Sequence, residues 1–280
     1  MCVDAANKQK KVSDKITDRL ETMTKLAKNL PRPAEIRELA RDFKHIRLGG
    51  NGFMGVSLHW LSPLKGHSSA PAKSIETISS HFGKAVPIPD TDFPEQRLQG
   101  WLIREAMMND RNLKIPLQLN SEFDELVFAL DEVSIGGRGV SVNDLQLPVA
   151  LLDAKDAVRC DLLAVGRKGS DVFPVVIELK VDRKEKRLHD QLNNFAKLMV
   201  LFNRHFIDLL NEVVKDTDLK LSEISYEKVR KIMVWPVSES GKFKTDPLLH
   251  NANGIDVIVF HPEKLRKEYP PVDRFTSYVV

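Results

Sequence analysis

Apolar residues recur at helical spacing near the start of the chain. Val12, Ile16, Leu20, Met23 and Leu30 punctuate a polar stretch and predict an amphipathic helix over residues 12–30. Ser13 is its expected N-cap, and Pro31 and Pro33 end it. Residues 34–43 predict a second short helix. The turn cluster Gly49-Gly50-Asn51-Gly52 then leads to a strand over residues 53–60. Residues 62–92 are rich in Ser, Pro and Gly and read as a linker or long surface loop. This divides the chain into a helical and irregular region, 1–90, and a main domain, 91–280.

Within 91–280 the pattern sharpens. Pro94–Met108 predicts a helix opened by its proline. Leu126–Val133 predicts a strand, followed by a turn at Gly136-Gly137-Arg138-Gly139. The apolar runs 159–165 and 172–181, separated by Gly166-Arg167-Lys168-Gly169-Ser170, predict a β-hairpin. His189–Val214 lacks helix breakers and predicts one long helix; Val229–Val237 and Ile255–His261 predict two further strands. Leu98, Trp101, Leu102, Met108, Leu198, Leu201, Phe202 and Leu209 are the expected helix core contacts. The order of elements predicts an α/β fold, a central mixed sheet with helices on both faces.

A hydrophobic content of 42% with 29% charged residues excludes a wholly disordered or fibrous chain. Two cysteines, Cys2 and Cys160, make no disulfide framework and suggest a reducing compartment. No apolar run approaches the ~20 residues that span a bilayer. The polar opening carries no secretory signal, so a cytoplasmic protein without membrane contact is expected. The net charge is only +3, but residues 1–48 hold twelve Lys/Arg against seven Asp/Glu. That local excess suits either phosphate contact or a solvated helix face. The eight histidines are scattered, with no C-x-x-C or H-E-x-x-H to suggest zinc. G-x-S-x-G and Walker A patterns are also missing.

Candidate chemistry lies in the predicted hairpin. Asp161 opens its first strand; Glu178 and Lys180, two apart, share one face at the end of the second. An acid and an amine ending an apolar strand are costly there unless paired or used. Converging carboxylates beside a lysine suit a hard divalent cation and its bound water. The acidic-x-Lys triplet recurs at Asp42/Lys44, Asp153/Lys155, Asp182/Lys184 and Asp218/Lys220. Only the Glu178 copy has an acid opening the preceding strand and a long helix after it. Arg183, Lys184, Lys186 and Arg187 form a basic cluster just downstream, suited to nucleic-acid contact or to a solvated turn.

With these residues in this order, the chain resembles the PD-(D/E)XK nuclease superfamily over roughly residues 93–262. The resemblance implies a restriction-endonuclease-like core of helix, three strands, helix and strand. It matches Asp161 to the aspartate of the second strand, and Glu178 with Lys180 to the acidic-x-Lys of the third. The carboxylate of the opening helix matches Glu95 or Glu105, with Glu95 preferred from the Pro94-Glu95-Gln96-Arg97-Leu98-Gln99 opening. Gln191, followed by Leu192-Asn193-Asn194-Phe195, resembles the Q-x-x-x-Y of RecB-like and resolvase-like branches, with Phe195 in place of tyrosine. Cys160 stands where the family has proline. The implied activity is Mg²⁺-dependent hydrolysis of DNA phosphodiesters, with Mn²⁺ as a substitute and RNA as another substrate class. Asp161, Glu178 and Glu95 would serve the metal, Lys180 the attacking water, and Gln191 would position Lys180, the water or a phosphate. A homodimer would suit double-strand cutting. The competing expectation is a catalytically silent nuclease fold that binds nucleic acid or acts as an assembly scaffold.

Overall fold

The computed structural model describes residues 2–28, 46–47, 86–87, 94–136, 142, 145, 157–180, 188–236, 254–261 and 272–274. Among these residues the helices are α1 (Cys2–Ala27), α2 (Pro94–Met108), α3 (Leu188–Leu201) and α4 (Asn203–Val213). A two-stranded sheet pairs β1 (Ile46–Arg47) with β2 (Val86–Pro87). The main sheet runs, in spatial as in chain order, β3 (Glu125–Gly136), β4 (Ala157–Lys168), β5 (Asp171–Leu179), β6 (Arg230–Pro236), β7 (Asp256–Phe260) and β8 (Val272–Arg274).

The sheet is mixed. β3, β4 and β5 are antiparallel neighbours, β5–β6–β7 are parallel, and β8 returns antiparallel. Seven successive residues of β5, Phe173–Leu179, are buried, and so are six of β6. A strand buried at odd and even positions alike is covered on both faces, hence its continuous apolar run. α3 packs over β4, β5 and β6, while α2 and α4 both reach β3. The molecule is therefore α/β, with a mixed sheet flanked by helices.

The β4–β5 hairpin is tighter than its glycine content suggested. Gly166, Arg167 and Lys168 remain in β4, and the loop is only Gly169-Ser170 between the paired Lys168 and Asp171. Gly169 supplies the positive φ of +58° that the first loop position of such a turn requires. Asp124 fastens the turn by accepting the Gly169 N–H at 2.6 Å. Gly166 has a separate role: a Cβ there would lie 2.9 Å from the Phe123 ring, which crosses the strand with Phe173.

Three further expectations are corrected. α1 begins at Cys2, so Ser13 lies inside the helix instead of capping it. The residues before Val12 lack an apolar repeat but include strong helix formers such as Ala5, Ala6, Lys8 and Gln9, which hydrophobic periodicity does not register. Val12, Ile16, Leu20, Met23 and Ala27 bury one stripe of α1, which packs on α4. The predicted long helix is two helices broken at Phe202, whose backbone (φ −108°, ψ 34°) leaves the helical region. The break turns Phe202 into the core and leaves Leu201 at 44% exposure, opposite to the core role expected of it. α4 then presents Phe206, Leu209, Leu210 and Val213 at helical spacing. β8 was not foreseen: three residues carry too little pattern. The expected elements at 34–43, 49–52 and 53–60, the turn at 137–139 and most of the 62–92 linker lie outside the described residues.

Candidate active site

The site grows from the register of β4 and β5. Leu162 pairs with Ile177, so the next antiparallel step sets Asp161 opposite Glu178. Residues directly opposite share a face. The two carboxylates therefore project together at the end of β5 that leads toward α3.

Each is held by its surroundings. Asp161 Oδ2 accepts the Leu179 N–H at 2.6 Å, taking an amide at the frayed end of the ladder. The next amide, Lys180 N–H, turns to the opposite neighbour and donates to Val234 O at 2.9 Å. Glu178 is 2% exposed. Its Oε1 accepts from Lys180 Nζ at 2.8 Å, while its buried Oε2 has no hydrogen-bond partner among the described residues. Lys180 Nζ also lies 3.9 Å from Glu95 Oε2 on the first turn of α2. Glu105, by contrast, pairs with its neighbour Arg104. Of the two helix acids, Glu95 is the one brought to Lys180.

The electrostatics follow. Burial first, then the charge of Asp161, pushes the Glu178 carboxyl well above its ordinary pKa, against the pull of Lys180. Burial likewise raises Asp161, opposed by Lys180 and by the Leu179 N–H. Burial alone would lower Lys180, but Glu178, Asp161 and Glu95 outweigh it and hold the amine above an ordinary lysine. In the metal-free protein Lys180 is therefore an ammonium at neutral pH, a hydrogen-bond donor to Glu178. Once all three carboxyls are ionised they leave two negative charges in excess around one ammonium, a surplus that one divalent cation would cancel.

The residues suit such an ion in donor chemistry. Asp161 and Glu178 offer hard oxygens, and Glu178 Oε2 is a buried acceptor with no donor. No group of three or more His, Cys, Asp or Glu side chains arranged to hold a metal occurs among the described residues. Two carboxylates of this kind would hold a hard cation that keeps much of its water.

Gln99 was missed by sequence reasoning. From α2 its Nε2 donates to the backbone carbonyl of Asp161 at 3.1 Å, tying the helix that carries Glu95 to the strand that carries Asp161. Its only sequence signal is its place four residues after Glu95, one turn along the same helix. Gln191 sits in the first turn of α3 with its amide oxygen buried and unpartnered among the described residues, and no hydrogen bond joins it to Lys180, Asp161 or Glu178. Phe195 is core, packed edge-on against Phe206 at 6.1 Å between centroids. His189, one turn before Asn193, also has a buried Nε2 without a hydrogen-bond partner among the described residues. Arg183, Lys184, Lys186 and Arg187 lie outside the described residues, as do the rival triplets of Asp42, Asp153 and Asp182. Asp218 and Lys220 are exposed. No described helix is long and apolar enough to cross a membrane. Comparison of the chain with protein-family models, curated proteins and solved structures finds no match.

Proposed function

We propose that this protein is a Mg²⁺-dependent nuclease that hydrolyses DNA phosphodiester bonds on a restriction-endonuclease-like core. One observation carries the reading. Asp161 and Glu178 lie one step past the paired Leu162 and Ile177 of β4 and β5, where the charge of Asp161 acts on Glu178, with a buried Glu178 oxygen unpartnered among the described residues and Lys180 at 2.8 Å.

Asp161 and Glu178 would hold the cation, with the Leu179 carbonyl beside them. When bound, the ion lowers the pKa of its water and offsets charge building on the phosphate. Lys180 supplies N–H donors: it orients the attacking water and stabilises negative charge on the non-bridging oxygens. Its raised pKa in the metal-free protein suits this donor task. Glu95 holds the far side of the Lys180 ammonium, so that the amine stays above the two carboxylates. Gln99 fixes the α2–β4 spacing on which this depends. Gln191, with an unsatisfied amide oxygen at the start of α3, is available to a water or to a substrate group.

The test is cleavage of linear, circular and branched DNA and of RNA, with Mg²⁺, with Mn²⁺ and with EDTA. Metal-dependent cutting by the native chain, lost in Lys180→Ala and Asp161→Ala, is expected. Undiminished cutting by Lys180→Ala would sink the assignment. No cutting on any substrate, with no Mg²⁺ binding by calorimetry, would favour a silent nucleic-acid-binding or scaffold protein.

A further inference from the structure

A second polar cluster lies on the same sheet face. Lys231 of β6 is only 7% exposed. It stands beside Val176 in the β5–β6 register, two positions before Met233, which stands beside Glu178. Its Nζ donates to Asn193 Oδ1 of α3 at 3.1 Å and, weakly, to the Tyr226 hydroxyl at 3.4 Å. The same Nζ lies 4.5 Å from the centre of the Tyr226 ring. The Tyr226 hydroxyl donates to Asn193 Oδ1 at 3.0 Å, closing the triangle.

None of these partners is an anion. Lys231 makes no ion pair with a described carboxylate, and the neighbouring Asp256 is taken by Arg230. Glu227, exposed in the turn before β6, acts on the Tyr226 phenol and not on Lys231. Among the described residues the charge that acts on Lys231 is another cation: Lys197, one turn beyond Asn193 on α3. Burial, and then the Lys197 charge, lower the Lys231 pKa. A buried ammonium facing a second positive charge with no counter-ion is an expensive arrangement. Two of its three N–H groups are used, leaving one donor free among the described residues. Asn193, Lys197 and Tyr226 are each half-buried, so the cluster borders solvent.

We propose that Lys231, Lys197, Asn193 and Tyr226 form a binding site for a phosphate-type oxyanion, separate from the Asp161–Glu178 pair. Lys231 supplies the buried charged donor, Lys197 the second charge, and the Asn193–Tyr226 bond holds Lys231 in place. Free phosphate and the terminal phosphate of a nucleic acid share this chemistry. The inference stands whether or not the protein cleaves DNA.

The test is calorimetric titration of the full chain in EDTA with inorganic phosphate, against chloride at matched ionic strength. One saturable phosphate site is expected, weakened about tenfold or more in Lys231→Met, since a charged hydrogen bond is lost. Lys197→Gln, on a half-buried helix position, should weaken it by a smaller factor and serves if Lys231→Met does not fold. Lys231→Met should also melt no lower than the native chain in phosphate-free buffer, because a charge without a counter-ion has been removed. A 5′-phosphorylated oligonucleotide that outbinds its 5′-hydroxyl form, by a margin lost in Lys231→Met, assigns the site to nucleic-acid termini. Equal binding of the two oligonucleotides assigns it to the free ion. No saturable phosphate binding by the native chain, or unchanged binding in both variants, would overturn the proposal.

Discussion

Replacing Glu178 with glutamine removes a buried negative charge while keeping the shape of the side chain. Glu178 is 2% exposed, bonded to Lys180 through one oxygen and unpartnered at the other. Carboxylates on directly opposed strand residues sit ~5 Å apart, which at an effective dielectric of about 20 costs roughly 3 kcal/mol. The Lys180 ammonium at 2.8 Å returns about 6 kcal/mol on the same footing. The surplus of roughly 3 kcal/mol offsets only part of the desolvation of a buried ion, which is about several kcal/mol in the metal-free protein. Glutamine avoids most of that cost and still accepts from Lys180. Glu178→Gln should therefore stabilise the metal-free protein at neutral pH by about 1–3 kcal/mol, a gain of the kind seen when a functional charge is removed.

Urea unfolding in EDTA, repeated across pH, measures this. Above the ordinary carboxyl value of 4.5, the folded protein holds more protons at Glu178 than the unfolded chain does. Native stability should then fall as pH rises through that window, and the slope should flatten in Glu178→Gln. Mg²⁺ at about a hundred times its Kd should stabilise the native chain by roughly 2.7 kcal/mol and leave the variant nearly unmoved. A variant less stable than the native chain, whose own unfolding ignores Mg²⁺, would refute the reasoning and make Glu178–Lys180 a structural ion pair.

Lys180→Met should lower single-turnover DNA cleavage by about 10²-fold or more, as loss of a preorganised donor does, while its circular dichroism stays native. Gln99→Leu frees the Asp161 carbonyl and loosens α2 against β4. Cleavage should drop by about tenfold, with a stability loss near 1 kcal/mol, read by paired kinetics and urea melts. Gly166→Ala forces a methyl to 2.9 Å from Phe123 and should cost about 1–3 kcal/mol in thermal unfolding without altering Mg²⁺ affinity.

The sequence by itself determined what local pattern can encode. Pro94–Met108 is bounded as its proline and periodicity predict, because both ends are written in residue type. β5 is legible as an apolar run ending in Glu178 and Lys180, and the period of two sets those side chains on one face. The pairing of Asp161 with Glu178 was also within reach, since a hairpin has few registers open to it. Tertiary structure decided the rest. Glu95 and Glu105 look alike in sequence, and only the docking of α2 brings one of them to Lys180. Gln99 bonds a carbonyl 62 residues away, a contact with no local signature. The break at Phe202 has no proline or glycine to announce it and follows from seating that ring in the core. Whether Lys180 acts as a base or a donor was undecidable from residue type. Its pKa is set by how many carboxylates the fold gathers around one buried amine, and that sum exists only once strands and helix have closed on each other.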